Sequence, residues 1–472
     1  MEPQSENGHV GARADNRDVV AVSEGARRTL IGEVGKHVGE TVSISGWVDV
    51  RRDHGKLVFL DIRDRSGKVQ VVCLPNHAEA VTTAQTLRPE WAVRIEGIVN
   101  ARPEKMRVDG INGNVELEAV AIEVLAKAQE LPFEKDTEVN IDTLFDYRPL
   151  TLRSQRSRDI FTMQATIVEA YRQSLQRQGF TEFQAPTLVG GDAEGGAAAF
   201  KVDYYNDKTA YLATSPQFYK QIMVGAFERA FTVCKIFRAE KSATTRHMSE
   251  ATCIDFEMGF IENEREPMTV LEAAIRDTVH AVSGAHSDIF KRLGSTPPEI
   301  PDEIPVFTLA EAHSLIEKEF SRTVEDASDM APEDERQICE YAKKHLRSDF
   351  VFITRYPTKK RAFYTYEDPA EAPFSRGFDL LFRGLEINSG SQRIHDYDEM
   401  VARMKGRGLD PEKFSFYLQA FKYGMPPHGG SSTGIERFTA RMLEIPNVKE
   451  ATPFPRDMNR IDTLLSDALD TD

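Results

Sequence analysis

The 472-residue chain is 40% apolar and 28% charged, with 59 Lys and Arg against 75 Asp and Glu and a formal net charge of −16. Such a length is too great for one ordinary core, so two or more domains are expected, with the composition of a globular protein in water. No apolar run approaches the ~18 residues of a membrane-spanning helix, which excludes a helical membrane protein.

The first residues, "MEPQSENGHVGARADNRD", lack the basic-then-apolar pattern of an export signal, so a cytoplasmic protein is expected. Residues 1–26 are polar and weakly patterned and read as a disordered tail. From Arg27, five β-rich segments follow, "TVSISGWVDV", "KLVFLDIRD", "KVQVVCLP", "WAVRIEGIVNA" and "NVELEAVAIEVL". Separated by turn signals, they predict a small Greek-key barrel of the oligonucleotide-binding kind over residues 27–130. Net acidity does not exclude a nucleic-acid partner, because screening confines surface fields to ~8–10 Å. Locally, residues 41–75 hold Arg51, Arg52, Lys56, Arg63, Arg65 and Lys68 against four aspartates.

Residues 131–155 show no sustained period and read as a hinge. A second domain is expected over 156–472. It opens with a helix whose Ile160, Met163, Ile167, Tyr171 and Leu175 recur at three or four, stopped by Gly179. Mostly strands follow to about Phe260, then helix and loop to residue 345. Strands return at "SDFVFITRYP", "RAFYTY" and "FDLLFRGLEI", and "DYDEMVARMKGRGLDPEKFSFYLQAFKYG" is helical. Strands joined through turns with few βαβ alternations imply an α+β domain with an antiparallel sheet. The four cysteines, Cys73, Cys234, Cys253 and Cys339, are scattered without CxxC spacing. They read as reduced thiols, and a zinc site is not expected.

Three stretches carry chemistry. "IFRAEKSATTRHMSEATCIDFEMGF" places strand-like ends around a polar loop, with Arg238 and Glu240 sharing one parity, Asp255 and Glu257 another, and Arg246 and His247 beside the loop. Alone it is compatible with a salt-bridge ladder across a surface hairpin. "PPHGGSSTGIERFTARML" sets a Gly-rich strand before a helix bearing Glu436 and Arg437. Small residues admit a ligand close to the backbone and arginine suits a polyphosphate, although a packed strand-to-helix turn would look the same. In "FDLLFRGLEINSGSQR", Asp379, Glu386 and Arg393 recur at intervals of seven in an apolar run. Charges there cost several kcal/mol unless they meet a partner, ligand or metal. Neither a P-loop nor a GxGxxG fingerprint is present.

In order, the helix with "GFTEFQAP", then "FRAE…TRH…ID.E", "FDLLFRGLEI.SG.QR" and "HGG…G.ER" resemble motifs 1, 2 and 3 of the class II aminoacyl-tRNA synthetases. The upstream "GWVDVRRDHGKLVFLDIRDRSGKVQ" is similar to the anticodon-binding barrel of the aspartyl, asparaginyl and lysyl subgroup. Within it the aspartyl members match best, from Arg27 to Arg460. Only about 90 residues separate "EMGF" from "SDFVFITRYP". This resembles the compact form common in archaea and eukaryotes, without the large domain many bacterial relatives insert.

The resemblance implies a five-stranded OB-fold barrel ahead of a class II sheet of six to seven antiparallel strands flanked by helices. It implies activation of L-aspartate with ATP and Mg²⁺, then transfer to the end of tRNA(Asp). Whether tRNA(Asn) is charged too rests on how the barrel reads the third anticodon base, near Asp49 and "ARPEKM". Residue by residue, Arg238 and Arg437 match the catalytic motif 2 and motif 3 arginines. Glu240, Arg246 and His247 match further ATP contacts, and Asp379 and Glu386 match the metal-binding acids. A bulge at Gly384 would bring those two acids to one face. Glu194, Ser215, Gln217, Lys220, Asp255 and Arg393 match the aspartate pocket, Lys220 and Arg393 as a cationic pair demanding an anion. Arg52, Phe59, Gln70 and Glu116 match anticodon contacts, although Phe59 alone would read as core. The motif 1 helix implies a homodimer.

The sequence departs from the pattern at three places. Ala251 and Thr252 replace the adenine-stacking aromatic of motif 2, motif 3 is Ser-rich, and "EKSATTRH" resembles asparaginyl enzymes. Alternative readings are an asparaginyl enzyme, a tRNA-independent asparagine-making paralogue, or a non-catalytic RNA-binding module.

Overall fold

The computed structural model describes residues 28–134, 137–191, 198–241 and 244–461. The tail expected over 1–26, and Glu194, lie outside them. The chain divides into two compact units between residues 135 and 136.

The first unit comprises β1 (Thr41–Asp53), β2 (Val58–Arg63), β3 (Lys68–Cys73), α1 (Ala78–Thr86), β4 (Ala92–Ala101) and β5 (Val115–Ala126). The strands close a barrel in the order β1-β2-β3-β5-β4. Each expected strand is present because alternation sends one parity inward. Along β4, Val93, Ile95 and Val99 are buried while Arg94 and Glu96 face water. Helix α1 has no counterpart in the sequence reading, since its inward face is only Ala80 and Ala84, too small to register as an apolar stripe.

In the second unit, α2 (Ile141–Asp146) and α3 (Arg148–Thr151) occupy the stretch read as a hinge. Buried Arg148 there donates to the carbonyls of Pro453 (2.6 Å) and Thr452 (2.9 Å). Then come α4 (Gln155–Arg177), β6 (Thr181–Glu182), β7 (Leu188–Val189), β8 (Lys201–Tyr204), β9 (Lys208–Leu212), α5 (Gln217–Phe227), β10 (Arg229–Phe237) and β11 (Glu250–Gly259). They are followed by α6 (Arg265–Ala285), α7 (Ser287–Leu293), β12 (Val306–Thr308), α8 (Leu309–Phe320), α9 (Pro332–Leu346), β13 (Phe350–Thr354), β14 (Gly377–Phe382) and β15 (Leu385–Arg393). The last elements are α10 (Tyr397–Gly406), α11 (Ser415–Lys422), β16 (His428–Gly434) and α12 (Ile435–Met442).

An eight-stranded sheet runs β12-β13-β14-β15-β16-β11-β10-β6. Its six central strands are antiparallel as expected. The two edge strands are parallel to their neighbours, β12 to β13 and β6 to β10. Parallel neighbours need a crossover, which α8 and α9 supply for the first of these pairs. The predicted face of α4 is buried: Ile160, Met163, Ile167, Tyr171 and Leu175 pack with Leu271 and Ile275 of α6 and with Ile254, Phe256 and Met258 of β11. The opposite parity of β11, Cys253, Asp255 and Glu257, is thereby turned to the other face of the sheet.

Two local readings are corrected. "FDLLFRGLEI" is a hairpin, β14 and β15 joined by Arg383 and Gly384, both with positive φ (46° and 77°). Gly384 is therefore a turn residue. The extra residue is Ile387, because Leu381 pairs with Glu386 while Leu380 pairs with Asn388. This shift gives Glu386 the same facing as Asp379, Ser389 and Arg393. "RAFYTY" forms no strand; it makes a single bridge, Thr365 to Arg393, as it passes over the site.

Candidate active site

A cavity of about 440 Å³ opens on the sheet face opposite α4. Lys220 projects into it from the first turn of α5, and Arg393 from the end of β15. Both meet the inward acids of β11. Lys220 Nζ lies 3.0 Å from Asp255 and 3.4 Å from Glu257. Arg393 grips both oxygens of Glu257, at 2.9 and 3.3 Å, and donates to Ser391 Oγ (2.6 Å) and the Gly430 carbonyl (2.9 Å). Lys220, Asp255 and Glu257 are 0% exposed. Buried charges at such depth persist only when paired and hydrogen-bonded. Burial alone would raise the Glu257 carboxyl, but Arg393 and Lys220 hold it below its ordinary range.

The cationic pair expected to demand an anion is thus met first by carboxylates of the protein itself. Lys220 and Arg393 each already face a protein carboxylate, and the four charges cancel. Glu257 is visible in the sequence only as a parity mate of Asp255, and with Phe256 it explains the second glycine of "HGG". A Cβ at Gly430 would lie 2.6 Å from the Glu257 carboxylate and 2.0 Å from the Phe256 carbonyl. Gly430 thus makes room for Glu257 and its strand, while Ser432 and Gly434 of the same stretch line the cavity, as a ligand-facing strand would. The Ser-rich motif 3 is explained likewise: Ser432 donates to Asp255, and the Ser431 carbonyl accepts from Lys220 (3.2 Å).

Beneath the charges lies a neutral layer. Gln217 donates to Gln221 (2.9 Å), which also accepts from Tyr417 Oη (3.0 Å) and donates to His428 Nε2 (2.7 Å). His428 Nδ1 therefore carries the proton and donates to the Pro426 carbonyl at 2.9 Å. Burial pushes the imidazole down to about 4. Since its folded pKa lies below the unfolded value of ~6.5, its contribution is whole above pH 6.5 and is lost as pH falls toward 4, by about 3 kcal/mol. Denaturation curves at pH 7 and pH 4 should show His428→Gln losing that much less than the parent between them. Equal losses would remove His428 from the acid response.

At the other end of the cavity stand Arg238, Arg246, His247, Glu386 and Arg437. Among the described residues the Arg238 guanidinium has no hydrogen-bond or ion-pair partner. Arg246 pairs with Glu335 (2.9 Å) and donates to the Gly384 carbonyl (3.0 Å), and Arg437 donates to the Glu386 carbonyl (3.1 Å). Glu240 is exposed and does not line the cavity. Ala251 and Thr252 do line it, and the Thr252 N–H is held by the Glu436 carboxylate at 2.9 and 3.0 Å.

The acid pair is not presented as two free carboxylates. Asp379 gives both oxygens to Arg361 (2.6 and 3.0 Å), whose guanidinium stacks on Tyr356 at 3.8 Å. Asp379 is buried and held by Arg361 behind the cavity wall, whereas Glu386 lines the cavity, so a metal would meet Glu386 first. The Glu386 carboxyl is pushed above its ordinary range by partial burial and by the Asp379 and Glu335 carboxylates, against Arg437 and Arg361. A hard cation shared with phosphate oxygens would relieve that repulsion. Arg361 and Glu335 carry no motif signal, and only the fold brings them here. Of the aspartate-pocket residues, Ser215, Gln217, Lys220 and Arg393 line the cavity, and Asp255 lies behind Lys220.

In the barrel, register places Arg52, Phe59, Asp61, Gln70 and Glu116 on one outer face. Phe59 is half-buried between core residues Val58 and Leu60 and stacks edge-on with His54. It is a surface aromatic of the barrel. Arg52 is gripped by Asp61 through two bonds of 3.0 Å, and Gln70 donates to Glu116 at 3.4 Å.

Comparison with known proteins agrees with this geometry. Residues 140–458 match the family of class II tRNA synthetases (D, K and N), and residues 42–125 match the OB-fold nucleic acid binding domain. The chain is 44% identical over 440 residues to the aspartate–tRNA(Asp/Asn) ligase of Thermus thermophilus, covering 92% of this chain and 99% of the relative. It is 36% identical to the aspartate–tRNA(Asp) ligase of Pyrococcus abyssi, covering 90% and 96%. The asparaginyl-tRNA synthetase of Pyrococcus horikoshii with asparaginyl-adenylate superposes with a TM-score of 0.85 at 31% identity, covering 92% and 99%. Matched over residues 140–458 and related at 36–44% identity along nine-tenths of its length, the chain belongs to the class II aminoacyl-tRNA synthetases of the aspartate, lysine and asparagine group.

Proposed function

We propose that this chain activates L-aspartate with ATP and transfers it to tRNA(Asp) and tRNA(Asn). The observation that carries the choice of amino acid is the neutral set Lys220, Asp255, Glu257 and Arg393. Bound aspartate brings in one ammonium and one side-chain carboxylate while its α-carboxylate turns to the phosphate, so the filled pocket stays neutral. Asparagine would bring the ammonium alone and leave one uncompensated buried positive charge, which costs several kcal/mol.

In the reaction the α-carboxylate attacks the α-phosphate in line, and the protein's part is positioning and charge. Arg238, without a partner among the described residues, would meet the α-phosphate and the substrate carboxylate together. Arg437, Arg246 and His247 would hold the outer phosphates and adenine, with Ala251 and Thr252 under the base. Mg²⁺ would be held through Glu386, with Asp379 and Arg361 fixing the strand behind it, and would supply charge neutralisation on the phosphates. Phe59 would stack on an anticodon base, with Arg52, Gln70 and Glu116 reading edges. A homodimer through α4 and residence in the cytoplasm belong to the same proposal. Among the described residues no helix is long and apolar enough to cross a membrane.

Pyrophosphate exchange with aspartate and with asparagine, followed by charging of both tRNAs with labelled aspartate, tests the reading. Exchange dependent on aspartate and charging of both tRNAs are expected; exchange with asparagine alone would overturn it. The greater identity to the relative named for both tRNAs supports dual charging. In the same assay, Glu386→Gln is expected to lower exchange about a hundredfold at saturating aspartate, and raising the Mg²⁺ concentration should recover part of the loss.

A further inference from the structure

Cys234 on β10 and Cys253 on β11 are separated by 18 residues in sequence but face one another directly across the strand pair, Sγ to Sγ 3.6 Å. Both belong to the parity that faces the cavity, along with Thr232 and Ile236 on β10 and Asp255 and Glu257 on β11. Cys253 is 1% exposed and lines the cavity, whereas Cys234 is half-buried. We propose that these two thiols are an oxidation site, closed to a disulfide by a hydroperoxide and reopened by a dithiol, which shuts the substrate pocket reversibly.

The step is balanced as follows. The Cys234 sulfur, the more accessible, attacks the peroxide O–O bond and becomes a sulfenic acid, releasing an alcohol or water. The Cys253 sulfur then attacks the Cys234 sulfur, the S–S bond forms and water leaves. Two thiols lose two electrons and the peroxide gains them. The Cys234 sulfur and burial together hold the Cys253 thiol well above its ordinary range, so the more exposed Cys234 is the sulfur that meets the peroxide, and Cys253 gives up its proton to the departing hydroxide as it attacks.

Opposed residues on antiparallel strands have Cβ atoms ~4.5–5.5 Å apart, and a disulfide needs ~3.5–4.5 Å, so closure draws the strands inward by about 1 Å. The same displacement reaches Asp255, two residues along β11, and Thr252, whose N–H is anchored on Glu436. A shift of that size in a positioning strand is enough for about a hundredfold loss of rate.

Full-length protein exposed to hydrogen peroxide, alkylated and digested without reduction should yield one linked peptide pair, Cys234 to Cys253. Aspartate-dependent pyrophosphate exchange should fall in step with that species and return on treatment with dithiothreitol. Recovery of both cysteines as separate alkylated or over-oxidised peptides would overturn the proposal. Cys234→Ser, or Cys234→Ala if the first variant folds poorly, should keep its exchange activity through the same exposure; loss equal to the parent's would also overturn it. The peptide readout needs no catalysis, so a failure of the functional reading and a failure of this one remain distinguishable.

Discussion

Arg393→Leu is expected to lower the unfolding free energy of the second unit by about 3–5 kcal/mol and to abolish aspartate activation. The loss is large because of what stays behind. Glu257 would keep only Lys220 at 3.4 Å, inside a pocket where it is 0% exposed. The Gly430 carbonyl and Ser391 hydroxyl would lose a charged donor as well. Removing both members of the pair together is a different matter. In Arg393→Leu with Glu257→Gln the remaining Lys220 and Asp255 still cancel, so most of the lost stability should return while activity does not. Denaturant unfolding of the parent, the single and the double variant measures this. A double variant no more stable than the single one would mean that the cost lies in packing and not in the orphaned carboxylate. Arg393→Lys keeps the charge without the fork, and should lie between them in stability.

Lys220→Met is expected to lower aspartate-dependent exchange by about 10²–10³-fold and to leave ATP affinity unchanged. Without the lysine, Asp255 and Glu257 share Arg393 alone, and the buried set carries a net negative charge before any substrate arrives. An incoming side-chain carboxylate then meets excess negative charge where it would have met balance, a penalty of several kcal/mol. The mouth arginines Arg238 and Arg437 lie at the other end of the cavity and should hold ATP as before. Titration of ATP binding beside exchange kinetics separates the two. A parallel fall in both would show that Lys220 supports the whole cavity and not the amino-acid end of it.

Much of this architecture is legible in the chain because it is written in periodicity. The five barrel strands alternate, and the α4 face from Ile160 to Leu175 recurs at helical spacing, since burial on one side is what those patterns encode. The motifs are legible as residue types in order. What the sequence hides is pairing between elements far apart in the chain. Nothing near Asp379 announces Arg361 as its partner, and nothing near Arg393 announces Glu257, because an ion pair leaves no spacing rule when its members come from different strands. The scattered cysteines are a second case, where absence of CxxC spacing says nothing about two strands that lie side by side. Helix α5 lies where strands are expected for another reason, since Gln217, Lys220 and Gln221 are polar residues on its buried face, which blurs the apolar stripe that marks a helix.

The spare residue at Ile387 also bears on how this chain can change over time. In a regular hairpin, adding or losing one residue at the tip would roll every downstream side chain through half a turn, exchanging Ser389, Ser391 and Arg393 for Asn388, Gly390 and Gln392. Here residues 388–393 are clamped on their far side by β16, and the ladder with β14 is already interrupted at one position. Slack introduced around Arg383 and Gly384 can be absorbed at that interruption. The tip of the hairpin is thus insulated from the pocket, and length variation there is the kind of drift the fold can tolerate.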